Sequence, residues 1–419
     1  MIEIVLIGLP IIGAMTGRVI TIVISMIVGI VGCGMYEGDE LSRACVMLTG
    51  ILIPLSIIGI WKEGREYMRW TMILEGILMW AFTTRDMIGF YIGYEAAVIP
   101  VYMMIVRYGT RRRKIRAGNM IMIYTIIGGI PLIITFIWIY IKTGTTNYDV
   151  AMEKIEGNRI IWWMLIIGFG VKVPMVPVHL WLCEAHVEAP TIGSMLLAGL
   201  LLKLGLYGMI RYNMRMEEEM VRNRGIVYVI GGIGIVYTGL TAMRQTDMKR
   251  IIAYGSIGHM SLVVMGIMSS TREGYVGGII QIVSHGIVSG GLFYGIGVIY
   301  EQTGSRLVRD YSGLWITMPI WSVMMMVLIM GNIGLPGTGG FVGEIMIIAG
   351  LIRENVVVGV IGALGMVINA VYTLWMYNRI VFGNAVRGMK EMNRRECGVI
   401  IPISVITIII GIMPWIIIG

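Results

Sequence analysis

Six ionisable side chains stand inside long apolar runs of this 419-residue chain, where acid–base chemistry is the work open to them. Glu95 lies in Phe90-Tyr91-Ile92-Gly93-Tyr94-Glu95-Ala96-Ala97-Val98-Ile99, and Lys203 in Leu200-Leu201-Leu202-Lys203-Leu204-Gly205-Leu206. Lys172 follows Gly168-Phe169-Gly170-Val171 and stands just before Pro174 and Pro177. Glu344 comes just beyond a glycine-rich break that begins at Gly334, and His259 and His285 complete the set. A charge at mid-bilayer costs on the order of 3 kcal/mol or more, so such residues are functional candidates by default. The bland alternative is a polar residue satisfied by a neighbouring helix. Two acids, two lysines and two histidines in six separate runs are hard to explain that way.

The chemistry they suit is proton transfer. Desolvation draws a lysine towards neutrality and a glutamate towards protonation, while an opposite charge nearby reverses both effects. A buried Lys–Glu pair whose separation changes can therefore take up and release a proton. Histidines near it can relay the proton, since their ordinary titration lies near neutral pH. Glu75, in Ile73-Leu74-Glu75-Gly76-Ile77, is a weaker candidate that reads equally well as a residue near a helix end or paired with a neighbour. Arg18 reads as a snorkelling or loop residue.

The elements that must position these groups are membrane helices. The chain is 57% hydrophobic and 14% charged, with a mean hydropathy of +0.82; soluble domains carry about 25% charged residues. Apolar runs of about 17–25 residues recur from end to end, each long enough to cross a bilayer. They are continuously apolar and do not alternate, which excludes a β-barrel. The fold class is an all-α polytopic membrane protein. The first run, from Met1 to about Gly34, is one tilted span or two tight ones; others lie near residues 44–61, 70–83, 87–106, 117–141, 160–178, 191–210, 225–242, 251–269, 275–299, 317–351, 356–378 and 398–418. That makes 13 spans, or 14 if the first run is a hairpin.

Two spans are interrupted. Residues 160–178 contain Pro174 and Pro177, and residues 317–351 contain Gly331, Gly334, Pro336, Gly337, Gly339 and Gly340. Broken helices at corresponding places in two halves point to a transporter's working site. The breaks lie about 160 residues apart (Pro174 to Pro336), which suits two repeats of about five helices, although no sequence identity joins the halves. Orientation follows from charge. One alternating set of loops holds 19 of the 33 Lys and Arg and the other holds 11. The cluster Arg111-Arg112-Arg113-Lys114 with Arg116 puts its loop, and the segment from His179 to Pro190, on the cytoplasmic or matrix side.

Several functions are excluded. Lys and Arg sit in short loops, so the net charge of +8 implies no nucleic acid. Cys33, Cys45, Cys183 and Cys397 form neither a disulfide framework nor a cluster motif. His179 and His186, in a loop-like segment between Pro177 and Pro190, invite a haem or zinc reading that the loop disfavours. The 37 methionines are core filler and lipid-facing bulk, and no phosphate-binding loop is present. The apolar start, lacking an Arg-rich presequence, argues against an imported precursor.

Residues 168–208 carry a resemblance. They run Gly168-Phe169-Gly170-Val171-Lys172-Val173-Pro174-Met175-Val176-Pro177-Val178-His179-Leu180-Trp181, then Ala185-His186-Val187-Glu188-Ala189-Pro190-Thr191-Ile192-Gly193-Ser194, then Lys203. This resembles the central signature of the subunit 4 family of respiratory complex I, the proton-pumping NADH:ubiquinone oxidoreductase. Gln245-Thr246-Asp247-Met248, Ser256-Ile257-Gly258-His259, His285-Gly286 and Gly334-Leu335-Pro336-Gly337 through Glu344 fit the same pattern in order. The resemblance implies two inverted five-helix repeats with broken helices and extra terminal helices. The domains would be 1–65 (N-terminal helices), 66–212 and 213–382 (the two antiporter-like bundles) and 383–419 (a C-terminal helix).

The resemblance also implies that Glu95 tunes Lys172, and that Lys172 and Lys203 carry the proton. His259 and His285 would link the halves, with Glu344 at the exit. It implies no cofactor in this chain; NADH, FMN, iron–sulfur clusters and ubiquinone belong to partner subunits. The partners would be other membrane-arm subunits, protons and the lipid bilayer, cardiolipin being one candidate lipid. Cys183 replaces the family's usual proline, which would loosen that turn. The stretch before Glu95 is short, so one of fourteen helices would be missing or compressed. Scarce phenylalanine (7) with abundant isoleucine and methionine suggests a fast-evolving genome, and the early start and short ends favour a mitochondrial inner-membrane protein over a bacterial plasma-membrane one. Two other functions compete: a subunit of a multi-subunit cation/proton antiporter, and a non-transporting membrane scaffold.

Overall fold

The computed structural model describes residues 2–35, 38–155, 157–384 and 388–418. Met1 and Arg387, used in the span and loop assignments, lie outside them. In chain order the α-helices begin with α1 (Ile2–Gly13), α2 (Arg18–Met35), α3 (Glu40–Gly59), α4 (Arg65–Thr83), α5 (Met87–Ala96), α6 (Val98–Tyr108) and α7 (Lys114–Thr143). Then come α8 (Tyr148–Lys154), α9 (Arg159–Lys172), α10 (Leu180–Glu188), α11 (Thr191–Leu196), α12 (Leu202–Gly208), α13 (Glu217–Met243) and α14 (Met248–Ile267). The last are α15 (Arg272–Thr303), α16 (Leu314–Thr317), α17 (Pro319–Ile333), α18 (Gly339–Glu354), α19 (Val356–Val381), α20 (Arg394–Ile412) and α21 (Trp415–Ile418).

In lipid every backbone donor and acceptor needs an internal partner, so a chain this apolar resolves into helices. Among the described residues, nine helical stretches are long and apolar enough to cross a membrane, and the rest of the apolar sequence is divided among shorter helices. The first run is two helices, α1 and α2, separated at residues 14–17. Arg18 opens α2 and donates to the carbonyls of Trp61 (2.9 Å) and Glu63 (3.1 Å), a structural role.

The helices fall into two compact units: Met1–Glu188 with Leu200–Val227, and Ala189–Gly199 with Tyr228–Gly419. Each unit carries the same local device. In the first, α7 ends on Gly144 in the left-handed region (φ 71°), and the chain turns to bridge Asn147 to Asp86. The Met87 N–H donates to the Thr146 carbonyl and the Tyr148 N–H to that of Arg85. Asp86 caps α5 by accepting from the Gly89 N–H at 2.6 Å. In the second, α15 ends on Gly304 (φ 70°) and Asp247 bridges to Leu307. There Asp247 caps α14 by accepting from the Lys249 N–H at 2.9 Å. Asp-Met at 86–87 and 247–248 and Thr-Gly at 143–144 and 303–304 are thus traces of the repeat in the sequence itself.

Burial separates central from peripheral helices. The most apolar window of α15 is wholly buried, whereas only 28% of that of α19 is. Ile123, Ile126, Ile127, Ile130, Ile134 and Ile137 form an exposed stripe on α7, as a lipid-facing surface requires.

Both expected breaks are present. In the first unit α9 stops at Lys172 and α10 starts at Leu180, with the Trp181 indole donating across the gap to the Val171 carbonyl at 2.9 Å. His186 corrects the loop assignment: it lies on α10 and is wholly buried, because residues 180–188 complete two turns of helix before Pro190. Cys183 is buried in the same helix, and the turn that the missing proline was expected to loosen stays helical. In the second unit α17 ends on Gly334 (φ 78°) and α18 begins at Gly339. A further irregularity was not foreseen: π-helical turns at Leu197–Leu201 and Met209–Asn213 flank α12.

The second break closes because Gly340 has no side chain. A Cβ there would lie 2.3 Å from the Gly331 carbonyl oxygen, a backbone atom that cannot step aside. Gly340→Ala should therefore cost about 1–3 kcal/mol, visible as lower thermal stability of the detergent-extracted protein. Unchanged stability would show that this approach does not hold the break.

Candidate functional site

In the first unit Lys172 is wholly buried at the last turn of α9, where the break leaves its side chain facing α5. Its ammonium donates to the Tyr94 carbonyl and lies 3.4 Å from the centroid of the Tyr94 ring. That is a cation–π contact, which partly replaces lost water. The Tyr94 hydroxyl donates to the Gly168 carbonyl at 3.3 Å, tying α5 to α9. Glu95, next in the chain, interacts electrostatically with Lys172. Its side chain is only half-buried, but Oε1 is enclosed and has no hydrogen bond among the described residues. Gly129 of α7 makes room for it: a Cβ there would lie 2.4 Å from Oε1.

Lys203, also wholly buried, sits on α12 between the two π-helical turns and interacts electrostatically with Cys45 of α3. One turn further on, the Tyr207 hydroxyl shares a 2.9 Å hydrogen bond with Ser42 and donates to the Phe82 carbonyl at 3.1 Å. Another turn on, Arg211 pairs with Asp39 and donates to Ser42 at 2.6 Å. Ser42, Asp39, Tyr207 and Arg211 line a cavity of about 190 Å³. Polar groups thus continue from Lys203 along one side of its helix.

In the second unit His259 (α14), His285 (α15) and Glu344 (α18) come together, all at most 7% exposed. The His259 Nδ1 lies 2.9 Å from Glu344 Oε1, and the Gln281 amide donates to the same oxygen at 3.1 Å. The His259 and His285 rings are 5.4 Å apart between centroids. Glu344 Oε2 has no hydrogen bond among the described residues and faces Gly334, whose Cβ would stand 2.8 Å away. Glu344, His259, Thr238, Asn369 and Tyr372 border a cavity of about 30 Å³, enough for a water molecule.

The six expected residues therefore divide into two groups, Glu95, Lys172 and Lys203 in the first unit and His259, His285 and Glu344 in the second. Glu75 lies in the middle of α4, not near its end, and its partner is neutral: Ser25 donates to Oε1 at 2.9 Å. Among the described residues no group of three or more His, Cys, Asp or Glu is placed to hold a metal ion. Gln281, Asn332 and Asn369 were missed. They carry no charge, but amides inside apolar runs were a signal that the same burial argument would have found.

Comparisons with known proteins place the fold and the family. Residues 84–373 match the family described as NADH:quinone oxidoreductase/Mrp antiporter, transmembrane. A membrane subunit of that class has the fold seen here. The structure of respiratory complex I from Thermus thermophilus with bound NADH contains a chain that superposes with a TM-score of 0.93 at 22% identity, covering 99% of this chain and 96% of that one. The NADH-ubiquinone oxidoreductase chain 4 of Marchantia polymorpha is 40% identical over 388 residues, 90% of this chain and 78% of that protein. That of Dictyostelium discoideum is 42% identical over 379 residues, 87% of this chain and 69% of that protein. The chain belongs to the NADH-ubiquinone oxidoreductase chain 4 family.

The space at Gly129 separates folding from positioning. Gly129→Ala meets the movable end of Glu95, and alanine favours helix by up to about 1 kcal/mol. The variant should assemble normally yet lose activity several-fold as Glu95 is pushed aside. Wild-type turnover in an assembled Gly129→Ala variant would show that the position of Glu95 is immaterial.

Proposed function

We propose that this chain is a membrane-arm subunit of a proton-translocating NADH:ubiquinone oxidoreductase, passing protons through Glu95, Lys172, Lys203, His259, His285 and Glu344. One observation carries the reading: each unit sets an acid beside a buried base at a helix break, Glu95 with Lys172 before residues 173–179 and Glu344 with His259 after residues 334–338. Irregular backbone at membrane depth survives only where protein packs it or a watery cavity meets it. Such a break lets a side chain change partners without unravelling a whole span. Lys172, held by a carbonyl and a ring with Glu95 close by, can lose or gain its proton as that acid moves. In the second unit a proton leaving His259 Nδ1 has Glu344 Oε1 within a hydrogen bond's length.

The chemistry of electron transfer belongs to partner subunits on this reading: NADH, FMN, iron–sulfur clusters and ubiquinone are held elsewhere, and this chain receives energy as conformational or electrostatic change. The names of its relatives support complex I over the antiporter alternative. Relatives in a land plant and a slime mould support the mitochondrial inner membrane. The division into bundles 66–212 and 213–382 is part of the same proposal.

Native-gel separation of mildly extracted membranes tests the assignment directly: this chain should travel in a very large assembly that stains for NADH oxidation. A smaller assembly without that activity would transfer the reading to cation/proton exchange. Lys172→Met tests the mechanism. Loss of a required proton carrier costs roughly 10²-fold or more, so NADH-driven pumping should collapse with the complex still assembled. Undiminished pumping by assembled Lys172→Met would leave the scaffold reading standing.

A further inference from the structure

The buried amides of Asn332 and Asn369 form a closed pair beside His259 with an orientation that their own bonds determine. The Asn369 amide nitrogen donates to the Asn332 backbone carbonyl at 2.6 Å, and the Asn332 amide nitrogen donates to Asn369 Oδ1 at 3.2 Å. A backbone carbonyl only accepts, so the group of Asn369 facing it is the NH2 and cannot be the oxygen. The second hydrogen of that NH2 points to His259 Nε2, at 3.1 Å. Nε2 must then accept, so the imidazole proton sits on Nδ1, where it is donated to Glu344 Oε1 at 2.9 Å.

We propose that Asn369, held by Asn332, is a positioning residue that fixes His259 as the neutral Nδ1–H tautomer and admits a proton at Nε2 only when its amide swings away. The proposal rests on the proton-translocating reading given above. A proton arriving at Nε2 would put an N–H against the N–H of Asn369, two donors face to face in a buried site. Rotation of the Asn369 amide removes that conflict, at the expense of its two bonds to Asn332. The step then balances: one proton is gained at Nε2, the Nδ1 proton passes to Glu344 Oε1, and the imidazole emerges neutral in the other tautomer. With the amide returned, the Nε2–H form is disfavoured, because it sets the Nε2–H against the Asn369 N–H. Asn369 thereby makes the charge state of His259 answer to the placement of α17 and α19, the helices that carry the two amides.

The groups that titrate around His259 are Glu344 from α18, His285 from α15 and Tyr372 from α19; α13 and α17 contribute Thr238 and Asn332, which do not titrate. The test is the pH profile of NADH-driven proton translocation by the assembled complex in closed membrane vesicles. Asn369→Asp replaces the donor with an acceptor and so favours a proton on Nε2. It should move the profile to the alkaline side by about one pH unit, the worth of one hydrogen bond, with several-fold slower pumping. Asn332→Ala, which removes the side-chain bond to Asn369 Oδ1 and leaves the bond to the residue-332 backbone carbonyl, loosens the Asn369 amide; it should move the profile the same way by less and serves if the aspartate variant does not assemble. Glu344→Gln is the control for the underlying reading. Loss of pumping in Glu344→Gln with unshifted profiles in the assembled Asn variants would overturn the latch alone. Full pumping in Glu344→Gln would overturn the reading on which it rests.

Discussion

Removing a carboxylate from water into an apolar helix costs several kcal/mol unless hydrogen bonds replace the solvent, and Glu344, 1% exposed, is met by His259 from α14 and Gln281 from α15. That requirement draws three helices to one point. They reach it because glycine replaces bulk along the contact: at Gly277 a Cβ would strike the Gly343 carbonyl oxygen at 2.9 Å, and at Gly343 one would strike Gln281 Oε1 at 2.7 Å. Close helix approach through glycine is how membrane interiors gain packing without a hydrophobic drive between helices. The break at 334–338 belongs to the same arrangement, since Gly334 leaves the space that Glu344 Oε2 occupies.

The first unit answers the same problem with different groups. Lys172 has a carbonyl and an aromatic face in place of a carboxylate in contact. Lys203 sits where the helix departs from the α form on both sides, and π-helical turns commonly mark functional positions. The two units thus share a design, a glutamate and a base beside interrupted backbone, while the base and the groups that hold it differ. This is why comparison of residue identities between the halves is uninformative, while the capped turns at Asp86 and Asp247 and the left-handed glycines at 144 and 304 preserve the repeat. Those positions are held by backbone geometry, which admits few residue types.

Much of the fold was legible from composition. Continuous apolar runs forced helices, and prolines and glycines at 174, 177, 334 and 337 marked both breaks, because these residues interrupt the backbone wherever they fall. The six ionisable residues were legible for a similar reason: a charge in an apolar run stands out by contrast. The segment holding His186 was misjudged because flanking prolines signal a loop, yet nine residues suffice for a short helix between them. Of the two readings open for Glu75, the end of a helix and a neighbouring partner, the second holds: it lies in the middle of α4 and accepts from Ser25.

By itself the sequence determined the class of protein, its helical character, its breaks and the ionisable residues set in apolar runs, since each of these is a one-dimensional property of hydropathy, backbone restriction or charge. Only the tertiary structure decided who faces whom. Asn332 and Asn369 are ordinary polar residues until α17 and α19 bring them to His259, and Gly129 is one glycine among 58 until Glu95 fills the space it leaves. Hydrogen-bond donors and acceptors act over about 3 Å, a distance that no spacing along the chain encodes and that helix packing alone sets.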